Sequence, residues 1–397
     1  MKQRIPFILL LWIVADIYFF QAIETLTHAN IIYWIYWLFD IILGCIVVYG
    51  TLLSKPGTTP PRLTSWLMAF MLISLVPKIL AFPILLLEDL SRMLLYITTS
   101  VYPARREWIS ELALIIGAIP FFGLIYGMIG GRHRYKVHKV TLKFDDLPKA
   151  FDGFTLTQLS DIHSGSFTSE KGVEKGINMV NAQKSDVILF TGDLVNSRAA
   201  EMDQWIPFFS RLKAPMGKYS VLGNHDYGDY TKWDTEEEKT ANLVRLKEVH
   251  GDIGFKLLLN EAIQIEKDGE SIALIGVENW GKGGFHKYGS LTQAAENVRN
   301  DEFKILMSHD PSHWEAKTLE NKKHINLTLA GHTHGMQFGI ELFGFKWSPV
   351  KYMYPQWAGL YENAGKYLYV NRGFGFLGYQ GRIGIWPEIT VITLKSS

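Results

Sequence analysis

Apolar residues are not spread evenly along this chain. Four long runs, 6–23, 31–53, 63–87 and 109–129, fill the first third. Each is close to the roughly 20 residues that cross a bilayer as a helix. The first is too long and aromatic for a cleaved signal peptide and has no small-residue cleavage site. Trp and Tyr cluster near several run ends, as in an interfacial belt. After Lys139 the pattern changes to short β-branched runs that end abruptly in polar residues. These are FTLTQLSDIHSG, DVILFTGDLVN, YSVLGNHDYGD, IALIGVENW, KILMSHDPSH and INLTLAGHTHG. Helix-like segments at 169–183, 199–212 and 235–249 lie between several of them. Near-continuous apolar runs predict strands buried on both faces, and the alternation predicts an α/β domain. The expected division is 1–131 as a transmembrane domain of about four helices, 132–150 as connector and first strand, and 151–397 as the soluble domain.

Composition adds little to this until charge is placed along the chain. Hydrophobic residues make up 48% of the 397, and the net charge of +1 gives no reason to expect bulk nucleic-acid binding. The single cysteine, Cys45, excludes a disulfide or cysteine-ligated zinc framework within one chain. Lys2 and Arg4 precede the first run, Lys55 and Arg62 follow the second, and Arg132, Arg134, Lys136 and Lys139 follow the fourth. The opposite side has Arg92, Arg105 and Arg106. This bias predicts cytoplasmic termini on a multi-pass inner (plasma) membrane protein. The segment 89–106 is amphipathic and is expected along the opposite membrane surface. Asp16, Asp40 and Lys78 fall inside the apolar runs. They read as an inter-helix group that fixes packing, with an ion or proton pathway as the alternative.

Ligand sites in open α/β sheets lie outside the strand ends. The polar residues there form an unusual set: Asp161, His163, Asp193, Asn224, His225, Asp226, His309, His332 and His334. Loop solvation alone would use Lys, Glu and Ser equally well. Imidazole and carboxylate suit divalent Mn, Fe or Zn. In an extended chain residues two apart share a side, which would pair Asp161 with His163 and His332 with His334. Glycines at 192, 223, 331 and 335 allow tight turns beside a ligand. Asp193 is the natural carboxylate to bridge two metals.

The series D-x-H at Asp161 and His163, G-D at Gly192 and Asp193, G-N-H-D from Gly223 to Asp226, a lone His309 and G-H-x-H from Gly331 to His334 resembles the calcineurin-like metallophosphoesterases. Order and spacing match from about 150 to 340. GNHDYGD, SHDP and PEITVITL are similar to the membrane-anchored bacterial branch, some members of which hydrolyse the pyrophosphate of UDP-2,3-diacylglucosamine. The resemblance implies a four-layer αββα sandwich preceded by an all-α bundle of four transmembrane helices. It implies two divalent metal ions: Asp161, His163 and His334 on the first, Asn224, His309 and His332 on the second, and Asp193 on both. His225 would act on the substrate phosphate, with Asp226 as its orienting partner. Met336 stands where the branch usually has a second glycine.

Arg372 and Arg382 are candidate phosphate contacts, since guanidinium matches phosphate in bidentate fashion; surface salt bridging is the alternative. The loop GKGGFHKYGS, with Lys282 and His286, either overhangs the site or is plain surface. His250, His313 and His324 read as structural. The aromatic stretch FGFKWSPVKYMYPQWAGLY suits a headgroup region or the packing of the last strands. The expected function is a membrane-bound phosphodiester or pyrophosphate hydrolase with the bilayer and an amphiphilic phosphate-containing substrate as partners. A phosphatase or phosphodiesterase for soluble substrates, and a non-catalytic scaffold or sensor, are the alternatives.

Overall fold

The computed structural model describes residues 5–53, 61–284 and 286–397. Lys2, Arg4 and Lys55, counted above for orientation, lie outside the described residues. The chain divides into two compact units, Met1–Ile129 with Gly378–Gln380 and Gly130–Leu377 with Gly381–Ser397.

In the first unit the apolar runs form α1 (Ile5–Leu26), α2 (Asn30–Leu53), α3 (Pro61–Thr99) and α4 (Glu107–Ile129). All four are long and apolar enough to cross a membrane, and they leave many large side chains exposed, among them Trp34, Ile35 and Ile119. Such residues remain outward because lipid, unlike water, does not drive them inside. Small residues bring the helices together: Ala22, Ala81 and Ala113 are fully buried around Leu85. Asp16, Asp40 and Lys78 converge from three helices. The Lys78 ammonium pairs with both carboxylates and donates to Ser74 Oγ at 2.8 Å.

The expected surface segment at 89–106 is corrected here. Residues 89–99 continue α3, because Leu94, Leu95 and Ile97 extend a helical sequence in which no Gly or Pro follows Pro83. The helix stops at Ser100, which has a left-handed φ of 59°. Its charged end is neutralised locally: Asp89 accepts from Arg92 and Arg105, and Glu88 from Arg106.

The second unit contains two six-stranded sheets. Its strands are β1 (Lys136–Phe144), β2 (Thr155–Leu159), β3 (Val187–Phe190), β4 (Lys218–Ser220), β5 (Lys256–Leu257), β6 (Glu261–Lys267), β7 (Glu270–Gly276), β8 (Lys304–Met307), β9 (Leu327–Ala330), β10 (Ile340–Leu342), β11 (Phe345–Trp347), β12 (Gly359–Asn363), β13 (Lys366–Val370) and β14 (Glu388–Ser396). One sheet runs β1-β14-β2-β3-β4-β5 and the other β12-β13-β9-β8-β7-β6, with β10 and β11 as a separate hairpin. Within them β2, β3 and β4 run parallel, as do β7, β8, β9 and β13.

Alternation along each strand sorts its side chains between layers. Val187 and Leu189 enter the core between the sheets with Ile305, Met307, Leu327 and Leu329. Ile188 and Phe190 face outward against Val173 and Ile177 of α5 (Glu170–Asn181), Phe209 of α6 (Ile206–Phe209) and Leu246 of α7 (Glu236–Asp252). On the far side Ile275 and Leu306 meet Leu291 and Ala294 of α8 (Leu291–Ala294). These four layers form the expected αββα sandwich. The helix expected over 199–212 is broken instead into a 3-10 turn, Ala199–Met202, and the single turn of α6. Pro207 cannot continue a helix from before it, and the buried Trp205 and Phe209 fix the segment by packing.

Candidate metal centre

Parallel strands of both sheets end at one rim. The loops after β2, β3, β4, β8 and β9 supply every candidate ligand. Asp161, His163 and His334 form one group whose ligating atoms all lie within 4.8 Å of one another, and Asp193, His309 and His332 form another. Asn224 joins the second: its Oδ1 lies 3.0 Å from His309 Nε2 and 2.8 Å from His332 Nδ1. Asp193 Oδ2 stands between the groups, 3.5 Å from His163 Nε2 and 3.2 Å from His309 Nε2.

The backbone at these positions is not extended. Asp161, His163, Asp193, His332 and His334 have φ of 52°, 47°, 62°, 70° and 51°. Each left-handed non-glycine residue costs roughly 1–2 kcal/mol, and such strain is characteristic of functional sites. The extended backbone assumed from the sequence is corrected, although Asp161 and His163 share one group as expected. Left-handed turns send His332 and His334 to different groups. Packing holds the strained loops in place. Asp161 N donates to Gly192 O at 2.9 Å and His163 N to Asp193 O at 3.1 Å. His332 N donates to the Asp161 carboxylate at 3.0 Å. A Cβ on Gly331 would stand 1.9 Å from Ser160 Oγ, and one on Gly223 2.2 Å from Asp193 Oδ1. Neither position admits a side chain. Met336 also has φ 55° with half its surface exposed, a conformation that favours the glycine of the related pattern.

Hydrogen bonds fix which ring atoms are free. His309 Nδ1 lies 2.8 Å from the Thr191 carbonyl. A carbonyl only accepts, so Nδ1 carries the hydrogen and Nε2 is left as a ligand. His225 Nδ1 is bound in the same way to Asn196 O at 2.8 Å. Its Nε2 is thereby free, and its ring packs against His163 and Tyr230. His332 Nε2 meets Tyr354 Oη at 2.9 Å and Asp310 Oδ2 at 3.7 Å.

Burial alone would raise the carboxyl pKa values of Asp161 and Asp193, but the surrounding imidazoles, chiefly His334 for the first and His309 for the second, outweigh it and hold both below the usual carboxylate range. Burial pushes His163 well down, keeping it neutral. Burial opposes charge on His309 too, yet Asp193 and Asp161 raise it to about 10. The carboxylates thus call for positive charge between the rings, which a divalent cation supplies as well as a proton does. Among the described residues His163 Nε2 and His334 Nε2 are buried with no hydrogen bond, facing the Asp193 carboxylate at 3.5 Å and the Asp161 carboxylate at 3.2 Å. Ionised carboxylates, a neutral buried imidazole and orphaned ring nitrogens fit a pair of divalent metals.

Three expected roles are corrected. Asp226 does not touch the His225 ring. Its carboxylate accepts from the backbone N–H of Asp193, Gly223 and Leu194 at 2.8 Å each, clamping two ligand loops together. Burial and the nearby Asp193 push its pKa up to about 7. Arg372 is 3% exposed and bound to Glu388 at 2.6 Å and Glu341 at 2.7 Å. Arg382 is fully buried; it donates to Gly375 O at 2.8 Å and its Nη2 lies 3.1 Å from His334 Nδ1. Both terminal nitrogens of Arg372 and all three guanidinium nitrogens of Arg382 are engaged within the protein. Of the loop read as an overhang, Gly284 and His286 line a cleft beside Asn224.

Sequence reasoning missed Asp310, Asn196 and Tyr354. Asp310 follows His309 directly and was legible as part of SHDP. Asn196 acts through its carbonyl, which no residue type signals. Tyr354 was hidden in an aromatic stretch.

Two family descriptions match the chain: "Probable Calcineurin-like phosphoesterase, transmembrane domain" over residues 3–132 and "Calcineurin-like phosphoesterase" over 154–336. The uncharacterized metallophosphoesterase YkuE of Bacillus subtilis is 30% identical over 301 residues, 74% of this chain and 98% of that relative. The chain belongs to the calcineurin-like metallophosphoesterases. A "Transmembrane protein with metallophosphoesterase domain" of Danio rerio is 29% identical over 294 residues, 72% of this chain and 62% of that one. An uncharacterized metallophosphoesterase of Aquifex aeolicus is 28% identical over 280 residues, 69% of this chain and 98% of its own. This metallophosphoesterase is a membrane protein of a phosphoester-hydrolase family, and its fold implies divalent metals.

Proposed function

We propose that this metallophosphoesterase hydrolyses a phosphodiester or pyrophosphate bond in a lipid-linked substrate, such as UDP-2,3-diacylglucosamine or a phospholipid, at a dinuclear centre of Mn, Fe or Zn. The observation that carries the reading is the pair of buried donor groups meeting at Asp193. Asp161, His163 and His334 would hold one cation, and Asn224, His309 and His332 the other, with Asp193 shared between the groups. Such cations would supply Lewis-acid chemistry, acidifying water and offsetting charge on the phosphoryl group. His225, oriented through Asn196 O, presents Nε2 to the phosphoryl group and stabilises its charge or protonates the leaving oxygen. The protein's own work is to fix these donors in rigid loops and to keep the site dry beneath them.

The lipid assignment rests on the surface next to His332. The β10–β11 hairpin turns at Phe343 and Gly344, with φ of 49° and 83°. Phe343 is 98% exposed, and Leu342, Phe345, Tyr352 and Met353 are exposed with it. A cluster of large apolar side chains on a soluble unit suits a bilayer or an acyl chain. The segment leads to Tyr354, which touches His332. The Lys and Arg bias, now carried by Arg132, Arg134, Lys136 and Lys139 after α4, supports a cytoplasmic catalytic unit.

The test is metal analysis of the purified full-length protein with a substrate screen that includes UDP-2,3-diacylglucosamine, phospholipids, cyclic nucleotides and a chromogenic diester. Two metals per chain and preference for a lipid substrate are expected. Asp193→Ala should abolish both metal loading and activity. His225→Ala should retain metal and lose on the order of 10²–10⁴ in turnover. A wild-type protein that binds no divalent metal, or a His225→Ala protein stripped of its metals, overturns these roles. Activity confined to soluble diesters overturns the lipid assignment alone.

A further inference from the structure

Beside the metal centre lies a cleft of about 210 Å³ that none of the proposed phosphoryl chemistry uses. Asn224 forms its wall toward the metals, and Asp229, Tyr230, Asn279, His286 and Tyr288 complete its lining. The loop after β4 and the loop after β7 face each other across it. Asn279 is 1% exposed. Its Nδ2 donates to the His286 carbonyl at 3.3 Å, while its Oδ1 is buried with no hydrogen-bond partner among the described residues. An unpaired buried acceptor costs about 1–3 kcal/mol, so its retention in a cleft wall points to a ligand that donates to it.

The other walls narrow the chemistry. Asp229 accepts from Lys239 Nζ at 2.6 Å and from Tyr288 Oη at 3.2 Å. Its charge is therefore matched, yet carboxylate oxygens keep further acceptor capacity. Tyr288 stacks on Tyr227 with ring centroids 3.8 Å apart, and Tyr230 lies on His225 at 4.3 Å while accepting from Asn224 Nδ2 at 2.8 Å. The lining is thus prebuilt, rich in acceptors, close to neutral and bordered by ring faces. It suits neutral O–H donors on a small polyol or sugar. A quaternary ammonium has no N–H to give and finds no surplus negative charge.

We propose that this cleft is the headgroup subsite: it seats the hydroxyl-bearing group esterified to the scissile phosphate, with Asn279 Oδ1 accepting from one hydroxyl. The proposal rests on the phosphoesterase reading above and adds the headgroup class to it. Asn279 is a specificity residue and leaves the metals to their own ligands.

The test uses full-length protein in detergent with phosphatidylglycerol and phosphatidylmethanol, which share the diester and differ in headgroup hydroxyls. Asn279→Leu should lower the ratio of kcat/KM for phosphatidylglycerol over phosphatidylmethanol by about tenfold, the loss of one hydrogen bond. Asn279→Asp, which keeps an acceptor, should recover part of it. An unchanged ratio in Asn279→Leu overturns the subsite. Should Asn279→Leu fail to fold, Asp229→Asn is read by the same ratio and judged in the same way. A binding arm separates this idea from the hydrolase reading. Calorimetry on the metal-loaded protein compares glycerol phosphate with methyl phosphate. Tighter glycerol phosphate binding that Asn279→Leu removes supports the subsite even where no lipid is hydrolysed. Equal binding of the two phosphates overturns it whatever the turnover.

Discussion

Replacing Asp226 by Asn tests the least expected assignment in the site. The carboxylate is fully buried. Oδ2 accepts from Asp193 N and Gly223 N, both at 2.8 Å, and Oδ1 from Leu194 N at 2.8 Å and Val195 N at 3.3 Å. An Asn amide must place its NH₂ against one of these donor pairs. Two bonds to a charged acceptor are then lost and two buried N–H groups are left facing a donor. At about 1.5–3 kcal/mol for each bond to a charged group, the loss is roughly 3–6 kcal/mol. For a domain of this size that lowers the thermal midpoint by on the order of 10 °C. Because the clamped loops carry Asp193 and Asn224, metal occupancy should fall as well. Thermal unfolding and elemental analysis of purified Asp226→Asn read both effects. A variant with an unchanged midpoint and full metal, but reduced turnover, would refute the clamp and restore the His225-orienting role expected from sequence.

Three further outcomes follow from other parts of the molecule. His250 is fully buried, neither ring nitrogen has a hydrogen-bond partner among the described residues, and burial lowers its pKa to about 3. The unfolded chain therefore binds more protons between about pH 3 and 6.5, and stability falls as pH drops through that window; at pH 5 the contribution is roughly 2 kcal/mol. His250→Phe should flatten that dependence, and denaturation midpoints at pH 7.5 and 5 that fall equally in both proteins would contradict it. Met336→Gly relieves a left-handed φ of 55° but gives the unfolded chain more conformational freedom to lose, for a net gain of about 0.5–1 kcal/mol; a lowered thermal midpoint would count against the strain. In the membrane unit Lys78→Met leaves Asp16 and Asp40 buried without their common cation, a loss of about 3–5 kcal/mol. Adding Asp16→Asn and Asp40→Asn should restore the midpoint, and a harmless single variant would show that the trio does not fix helix packing.

The sequence alone determined what depends on neighbours along the chain. Four spans follow from the length of uninterrupted apolar runs, and two-sided sheets from strands such as VILF with no polar face. The ligand types follow from what stands at each strand end. The tertiary structure decided everything that depends on distant partners. The division of His332 from His334, implied by the resemblance, is carried by left-handed backbone held by Asp161, far away in sequence, and no spacing rule contains it. Arg372 and Arg382 looked like phosphate contacts because a guanidinium reads the same whether it meets substrate or, as here, Glu388, Glu341 and the Gly375 carbonyl. Asp226 sits beside His225 in the chain, yet its partners are backbone N–H groups, which every residue carries and no sequence can mark. The unpaired Oδ1 of Asn279 became visible only when two loops, separated by more than fifty residues, closed around it. Local sequence specifies which groups are present and their secondary structure. Folding specifies which of their lone pairs and protons remain free for chemistry.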